Sequence, residues 1–544
     1  MSADLQRATQ LYQSGDLPAA EAALLHAVSV DPRNNQALEL LSVICTRTRR
    51  LEEAIHYTQQ LVKLAPASIA YADRLAALLE NAGKYDEAIA CCQQLINQHP
   101  AHANSRYNFA ALLKRAGQLE AALGQYSQAL QLGISQPEDV LTNISVILSD
   151  LHRHHEAEKT LRRALELAPD YIPALYNLGV VMEELGDWDD ARSLFERILE
   201  IDPGHTDSLT HLANGRRFED PRDPVIMKIQ NAIASNREND IHARTALHFS
   251  LGKVLDDTGQ YPLAFEQFFQ GNEQCRQIIG SYDAARQEAQ LAAYKNMQLS
   301  GLLKTIEPVS DKPLFFICGM FRSGSTLLEQ MLASHAQVTA GGELSYFNQS
   351  LPADATQPCD TQQLYAIGEG YLDYLKSNFP NAHYVTDKRP DNWQYLGIIR
   401  ALFPNARFIN TGRHPLDNCL SLFFHQFAGS MSYHTRLLDI GHYYAQYIDF
   451  MNFWRDVAPE NIYDLNYQSL TAAPQETLEP LLHFLGLQWD DNCLQYYKTD
   501  NRVRTASVWQ VRQPLYQKAK GRWQHYEDAL TPLKQYLLQQ GISV

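Results

Sequence analysis

Residues 313–335 read PLFFICGMFRSGSTLLEQMLASH. The opening PLFFIC (313–318) is a short apolar run rich in aromatic residues, suited to a buried parallel strand. It runs into GMFRSGST (319–326), and STLLEQMLASH then continues in a helical pattern. A strand, a glycine loop and a helix in this order make a phosphate site, because loop N–H groups and the positive helix end converge on one anion. The loop differs from the nucleoside-triphosphate pattern GxxxxGK[ST]. Gly319, Gly324 and Thr326 fit it, but Ser325 stands at the lysine position and the cation has moved to Arg322. A guanidinium offers a planar fork to an anion.

Further strands are expected at HYVTDK (383–388), ARFINTG (406–412) and NIYDLNY (461–467). Helical patterns separate them, including PLDNCLSLFFHQF (415–427) and QETLEPLLHFLG (475–486). This alternation implies an α/β domain with a parallel sheet. A magnesium-dependent kinase would want an acidic metal ligand at a neighbouring strand end. Asp387 is there, but Lys388 and Arg389 follow it. Side-chain cations in place of a metal suit transfer of a less charged group such as sulfuryl.

Upstream the pattern is periodic. Ala recurs at 20, 54, 88, 122, 157 and 191, and Pro at 32, 66, 100, 169 and 203. Gly precedes the Ala by five residues at 15, 83, 117 and 186, and the same offset returns at Gly259 and Ala264. Each unit holds two amphipathic stretches. Small residues let paired helices approach, and Pro stops the second. The pattern resembles the tetratricopeptide repeat, with about six units over residues 4–206. That resemblance implies an all-α solenoid whose concave face takes a protein or peptide partner. Capping or dimerisation of the C-terminal domain is the structural alternative. The expected division is an array over 1–206, degenerate or terminal helical repeats and a linker over 207–300, and an α/β domain over 311–544. His152, His154 and His155 lie together at a repeat turn without a second ligand pair at metal spacing.

The chain has 544 residues, 45% hydrophobic and 20% charged, a balance that excludes wholesale disorder. Residues 1–300 hold 39 acidic and 27 basic residues and the remainder 23 and 19, so neither part has the basic excess of a nucleic-acid binder. No apolar run approaches the ~20 residues of a membrane span. The start, MSADLQRATQLYQSGD, lacks a signal-peptide pattern, and the eight Cys form no CxxC. A cytoplasmic, reduced setting is expected.

FRSGSTLLEQML (321–332) resembles the 5′-phosphosulfate loop of sulfotransferases that use 3′-phosphoadenylyl sulfate, PAPS. PNARFINTGRHPLDNCLSLFF (404–424) resembles their 3′-phosphate segment, and GRWQHY (521–526) their C-terminal GxW segment. The loop is most similar to the protein-tyrosine and bacterial branch, a resemblance that implies a bacterial setting. The resemblance implies a P-loop-like sulfotransferase domain with PAPS as donor and no metal. It assigns Arg322, Ser323, Gly324, Ser325 and Thr326 to the 5′-phosphosulfate, and Arg413 and Ser421 to the 3′-phosphate. Tyr467 matches a Tyr beside the nucleotide, while Lys388 and Ser507 match positions near the leaving group. Glu343, in GGEL (341–344), aligns with the catalytic Glu that takes the acceptor proton; its other reading is a helix cap or an ion pair with Lys388 or Arg389. His425 stands where the tyrosylprotein branch has a further Arg. The implied function is sulfuryl transfer to an acceptor hydroxyl, tyrosine on a protein or peptide being favoured. A saccharide or small-molecule acceptor is an alternative, as is an interaction scaffold with an inactive nucleotide-binding domain.

Overall fold

Helical pairs repeat through the first part of the chain, from Ala3–Gln13 with Leu17–Val30 to Ile172–Leu185 with Trp188–Ile201. The six periodic Ala residues each lie fully buried, which lets the two helices of a pair close on one another. Asn34, Ser68 and His102 cap successive first helices, each accepting the backbone N–H three residues on. The tight turn between paired helices needs a left-handed residue, supplied by Gly15, Gly83, Gly117 and Gly186. Arg49 and His152 hold the same turn position with φ of 61° and 60°. His152 is therefore a turn residue, and the neighbouring His154 pairs with Glu184 at 2.9 Å.

In this computed structural model the described residues are 3–235, 240–352, 354–355, 360–427, 431–498 and 521–544. The chain divides into two units between Ser208 and Leu209. The second unit is built on a five-stranded sheet of order β2-β3-β1-β4-β5. The strands are β1 (Phe315–Gly319), β2 (Val338–Ala340), β3 (Tyr384–Asp387), β4 (Arg407–Gly412) and β5 (Ile462–Asn466). Every pairing is parallel, with Phe316 opposite Phe408 on one side of β1 and Asp387 on the other. The expected parallel α/β sheet is thus present, with β2 as an addition. Phe315 and Ile317 face a core made with Leu328, Met331, Leu478 and Leu482. Phe316 faces the opposite layer, stacked on Phe408 at 5.3 Å and close to Tyr371.

The helices over residues 209–299, expected as terminal repeats and linker, lie in the same unit as the sheet. The pair Ile241–Asp257 and Tyr261–Ile279 keeps the repeat's turn at Gly259 and its buried Ala264. Its outer face is not a free cap. Asn272 donates to the Phe423 carbonyl at 2.7 Å, and Phe268 stacks on Phe424 at 3.9 Å. Asp256 accepts from Arg522 and from the Tyr526 hydroxyl. The helix after β4 ends at Phe423, short of the expected Phe427, and the Phe423 carbonyl there meets Asn272.

Candidate active site

All five strands run the same way, so their C-terminal ends open on one edge of the sheet. That edge is where an open parallel sheet binds ligands. The glycine loop follows β1 at its centre. Gly324 has a φ of 100° and opens the helix Ser325–Ala333. A Cβ at this position would lie 2.2 Å from the Tyr467 ring, so Tyr467 lies directly over the loop. Arg322 also takes a left-handed conformation, with φ 65°. Its Nε donates to the Ser421 hydroxyl at 3.2 Å, which joins the loop to the helix Pro415–Phe423. Asn418 of that helix donates to the Phe321 carbonyl at 3.0 Å. Arg413, at the end of β4, holds its guanidinium 5.5 Å from the Tyr467 ring centre. Arg322, Gly324, Arg413, Ser421 and Tyr467 therefore form one cluster.

Ser323 is turned inward. Thr411 gives its hydroxyl proton to the Cys318 carbonyl at 3.0 Å, so Ser323 donates to Thr411 at 2.6 Å. The Ser323 N–H reaches the Met320 carbonyl at 3.3 Å. Its hydroxyl therefore braces the loop against β4, and its N–H closes a turn within the loop. Ser325 and Thr326 lie buried in the first turn of the loop helix, the turn whose N–H groups lack intrahelical acceptors. His425 is neutral here. Burial, and next the Arg322 charge, push it down to about 3.

The second cluster lies on the other side of the loop. Gly341 and Gly342 follow β2, and Lys388 follows β3. Glu343 Oε1 lies 2.6 Å from Lys388 Nζ; the lysine is fully buried and the carboxylate about one-third exposed. The Lys388 N–H donates to the Gly342 carbonyl at 2.9 Å. Glu329, inside the loop helix, accepts the Gly342 N–H at 2.9 Å and the Thr386 hydroxyl at 3.0 Å. Burial raises its pKa, opposed first by the Lys388 charge. Arg389 pairs with Asp391 at 2.7 Å and donates to Ser345, so the ion pair of Glu343 is with Lys388.

Other expected residues fall elsewhere. Ser507 lies outside the described residues. Trp393 is a core anchor beside Tyr443, Tyr447 and Phe450. Trp523 stacks on His414 with rings 5.3 Å apart, and its segment is held by Asp417, which accepts the Gly521 and Trp523 N–H groups. His335 bridges through both nitrogens, accepting the Gln337 N–H and meeting the Gln488 carbonyl, which cross-links the end of the loop helix.

Glu329 and Asn418 escape the sequence reading, and Asp417, which the sequence offers as an ion-pair partner for Arg413 one turn away, instead accepts the Gly521 and Trp523 N–H groups. Glu329 left one trace, a carboxylate inside the apolar run LLEQML.

Residues 313–491 match the sulfotransferase family model. Residues 5–69, 74–137 and 138–204 match tetratricopeptide-repeat models. The chain joins tetratricopeptide repeats to a sulfotransferase domain. It is 32% identical over 320 residues to an uncharacterized protein of Aquifex aeolicus (strain VF5), covering 55% of this chain and 42% of that one. It is 22% identical over 228 residues to Protein-tyrosine sulfotransferase 1 of Danio rerio, covering 37% of this chain and 61% of that protein. The chain thus spans about half the length of these curated relatives. Among solved structures, the sulfotransferase domain from the Synechococcus PCC 7002 olefin synthase is 19% identical, covers 40% of this chain and 88% of that one, and gives a TM-score of 0.32. MamA is 17% identical, covers 30% of this chain and 90% of its own, and gives a TM-score of 0.28. Both ion clusters lie within the sulfotransferase domain's matched residues.

Proposed function

We propose that the sulfotransferase domain moves a sulfuryl group from PAPS to an acceptor hydroxyl. The observation that carries this reading is the Arg322–Ser421 contact, which couples the glycine loop to the Arg413 segment on the sheet edge that also holds Glu343 and Lys388. The residues suit a donor with two separate anionic groups. Gly324 lets the Tyr467 ring pack directly on the loop, where a Cβ would strike it, and the Arg413 guanidinium lies 5.5 Å from the centre of that ring. The loop-helix N–H groups and Thr326 serve the 5′ anion, and Arg413 with Ser421 the 3′ phosphate. Arg322 belongs with the 5′ set, and its contact with Ser421 ties that set to the 3′ set. The donor supplies the sulfuryl group.

Glu343 accepts the proton of the attacking hydroxyl, a task that suits a partly exposed carboxylate open to an acceptor. Lys388 stabilises the charge that develops on the leaving oxygen. The ion pair between them orders both before the donor arrives. The acceptor is a protein or peptide hydroxyl, tyrosine being favoured by the likeness to the Danio rerio protein. The repeats supply the surface for such a partner. No described helix is long and apolar enough to cross a membrane, and the seven described cysteines are free. A bacterial cytoplasmic setting is part of the same proposal, the bacterial origin resting on the likeness to the Aquifex aeolicus protein.

The test is thermal stability with PAP against ATP. Ligand at ~100 Kd stabilises by ~2.7 kcal/mol. PAP is expected to raise Tm more than ATP does, and Arg413→Ala to remove the difference. An equal response to both nucleotides would contradict the 3′-phosphate assignment.

A further inference from the structure

The loop helix Ser325–Ala333 buries Leu327, Leu328, Met331 and Leu332, and among them Glu329, which is only 3% exposed. A carboxylate in such surroundings is costly unless donors meet it. Two do, and both come from other strand ends. The Gly342 N–H, beyond β2, lies 2.9 Å from Glu329 Oε1, and the Thr386 hydroxyl, on β3, lies 3.0 Å from the same atom. The peptide unit of Gly342 leads on to Glu343, and the Gly342 carbonyl accepts the Lys388 N–H at 2.9 Å. One carboxylate oxygen therefore connects the helix that carries the glycine loop to both members of the Glu343–Lys388 pair.

We infer that Glu329 is a positioning residue that sets the Glu343–Lys388 pair in register with the donor loop. This rests on the proposed roles of Glu343 and Lys388. Glu329 does its work through Gly342 and Thr386 and touches no reactant. What it must provide is an acceptor atom at a fixed reach, and not a charge. Misplacement of a reacting group by 1 Å costs about 10²-fold in rate.

Two variants separate reach from charge. Glu329→Gln keeps an oxygen at the same distance and drops the charge. Glu329→Asp keeps the charge and draws the oxygen back by one methylene. With the full chain, kcat and donor KM for PAPS are measured together with the Kd for PAP and hydrogen exchange at the Gly342 amide. Glu329→Asp is expected to lower kcat at least ~10-fold, toward the ~10² of a 1 Å displacement. PAP Kd and PAPS KM should stay within about 3-fold of wild type, and the Gly342 amide should exchange faster. Glu329→Gln should restore kcat to within about 3-fold of wild type, the limit that kept reach predicts.

Unchanged kcat in Glu329→Asp overturns the inference. So does an equal loss in Glu329→Gln, which would make the charge the requirement. A rise in PAP Kd as large as the fall in kcat also overturns it, since the loop itself would then have been damaged. If Glu329→Asp does not fold, Thr386→Val removes one donor and leaves Glu329 intact. Its kcat should then fall by about 3- to 10-fold, a partial version of the same misplacement, and an unchanged kcat overturns the inference. Wild type that binds PAP but transfers nothing overturns the proposed function alone. In that case the Gly342 exchange rate decides, and a rate unchanged by Glu329→Asp ends the inference as well.

Discussion

Asp387 shows how a single enclosed group leaves a pH signature. Its carboxyl is 1% exposed and accepts the Tyr371 hydroxyl at 3.1 Å. Burial pushes it up to about 8, against the hydrogen bond from Tyr371. An unfolded Asp titrates near 3.9. The folded state therefore holds a proton that the unfolded state has released between those values. The stability this gives is complete below about pH 4, falls by ~1.4 kcal/mol per pH unit, and is lost as pH rises through about 8. Asp387→Asn keeps an acceptor for Tyr371 and needs no proton. Urea midpoints at pH 5, 6.5 and 8 should fall less steeply in this variant than in wild type; parallel curves would refute the assignment. The glycine loop was legible from its own pattern, and Glu343, Lys388, Arg413, Ser421 and Tyr467 from the family resemblance. Arg322 to Thr326 announce themselves because a glycine loop is local chemistry. Thr411, Asn418 and Asp417 act on partners 88, 97 and 104 residues away, and no spacing rule reaches that far.

Among elements, the repeat turns are the clearest case of sequence dictating backbone. Four turns use Gly at positive φ, and two use Arg49 and His152 in the same conformation. A left-handed non-Gly residue costs roughly 1–2 kcal/mol, partly offset by the greater unfolded freedom of Gly, about 0.5–1 kcal/mol. Arg49→Gly should stabilise the array by about 0.5–1 kcal/mol, since the Arg49 side chain is exposed. For a unit of this size that is a rise in Tm of about 1–4 °C. A lower Tm would show that the arginine side chain contributes more than its backbone costs. The repeat was readable because a 34-residue grid restates itself six times. β2 was not, because Val338–Ala340 is too short to display an alternation of period two. The stop of the Pro415–Phe423 helix was not readable either: Asn272 and Phe268 meet it from outside that helix.

At the scale of the whole molecule, the second unit begins at Leu209, about a hundred residues before the first strand. Asn272, Phe268 and Asp256 contact the C-terminal end of the Pro415–Phe423 helix, the adjoining Phe424 and the GRW segment, and Lys295 pairs with Asp449 at 2.5 Å. A chain of residues 209–544 should therefore fold alone and keep the PAP response. One of 311–544 should aggregate or melt without a cooperative transition, because Phe424 and the Phe423 carbonyl lose their cover. Equal cooperativity in the two would refute this division. The fold class was legible here, but the allegiance of the helices over 209–299 was not: their repeat-like pattern records how they pair with each other, and not which neighbour they cover. The central claim is that this sheet edge transfers a sulfuryl group with Glu343 as base. Its most direct test is transfer of labelled sulfate from PAPS to a tyrosine-containing peptide, comparing wild type with Glu343→Gln. The account predicts transfer by wild type and a loss of ~10²–10⁴-fold in kcat in the variant, with PAP affinity kept. Transfer at the wild-type rate by Glu343→Gln, or none by a wild type that binds PAP, would contradict it.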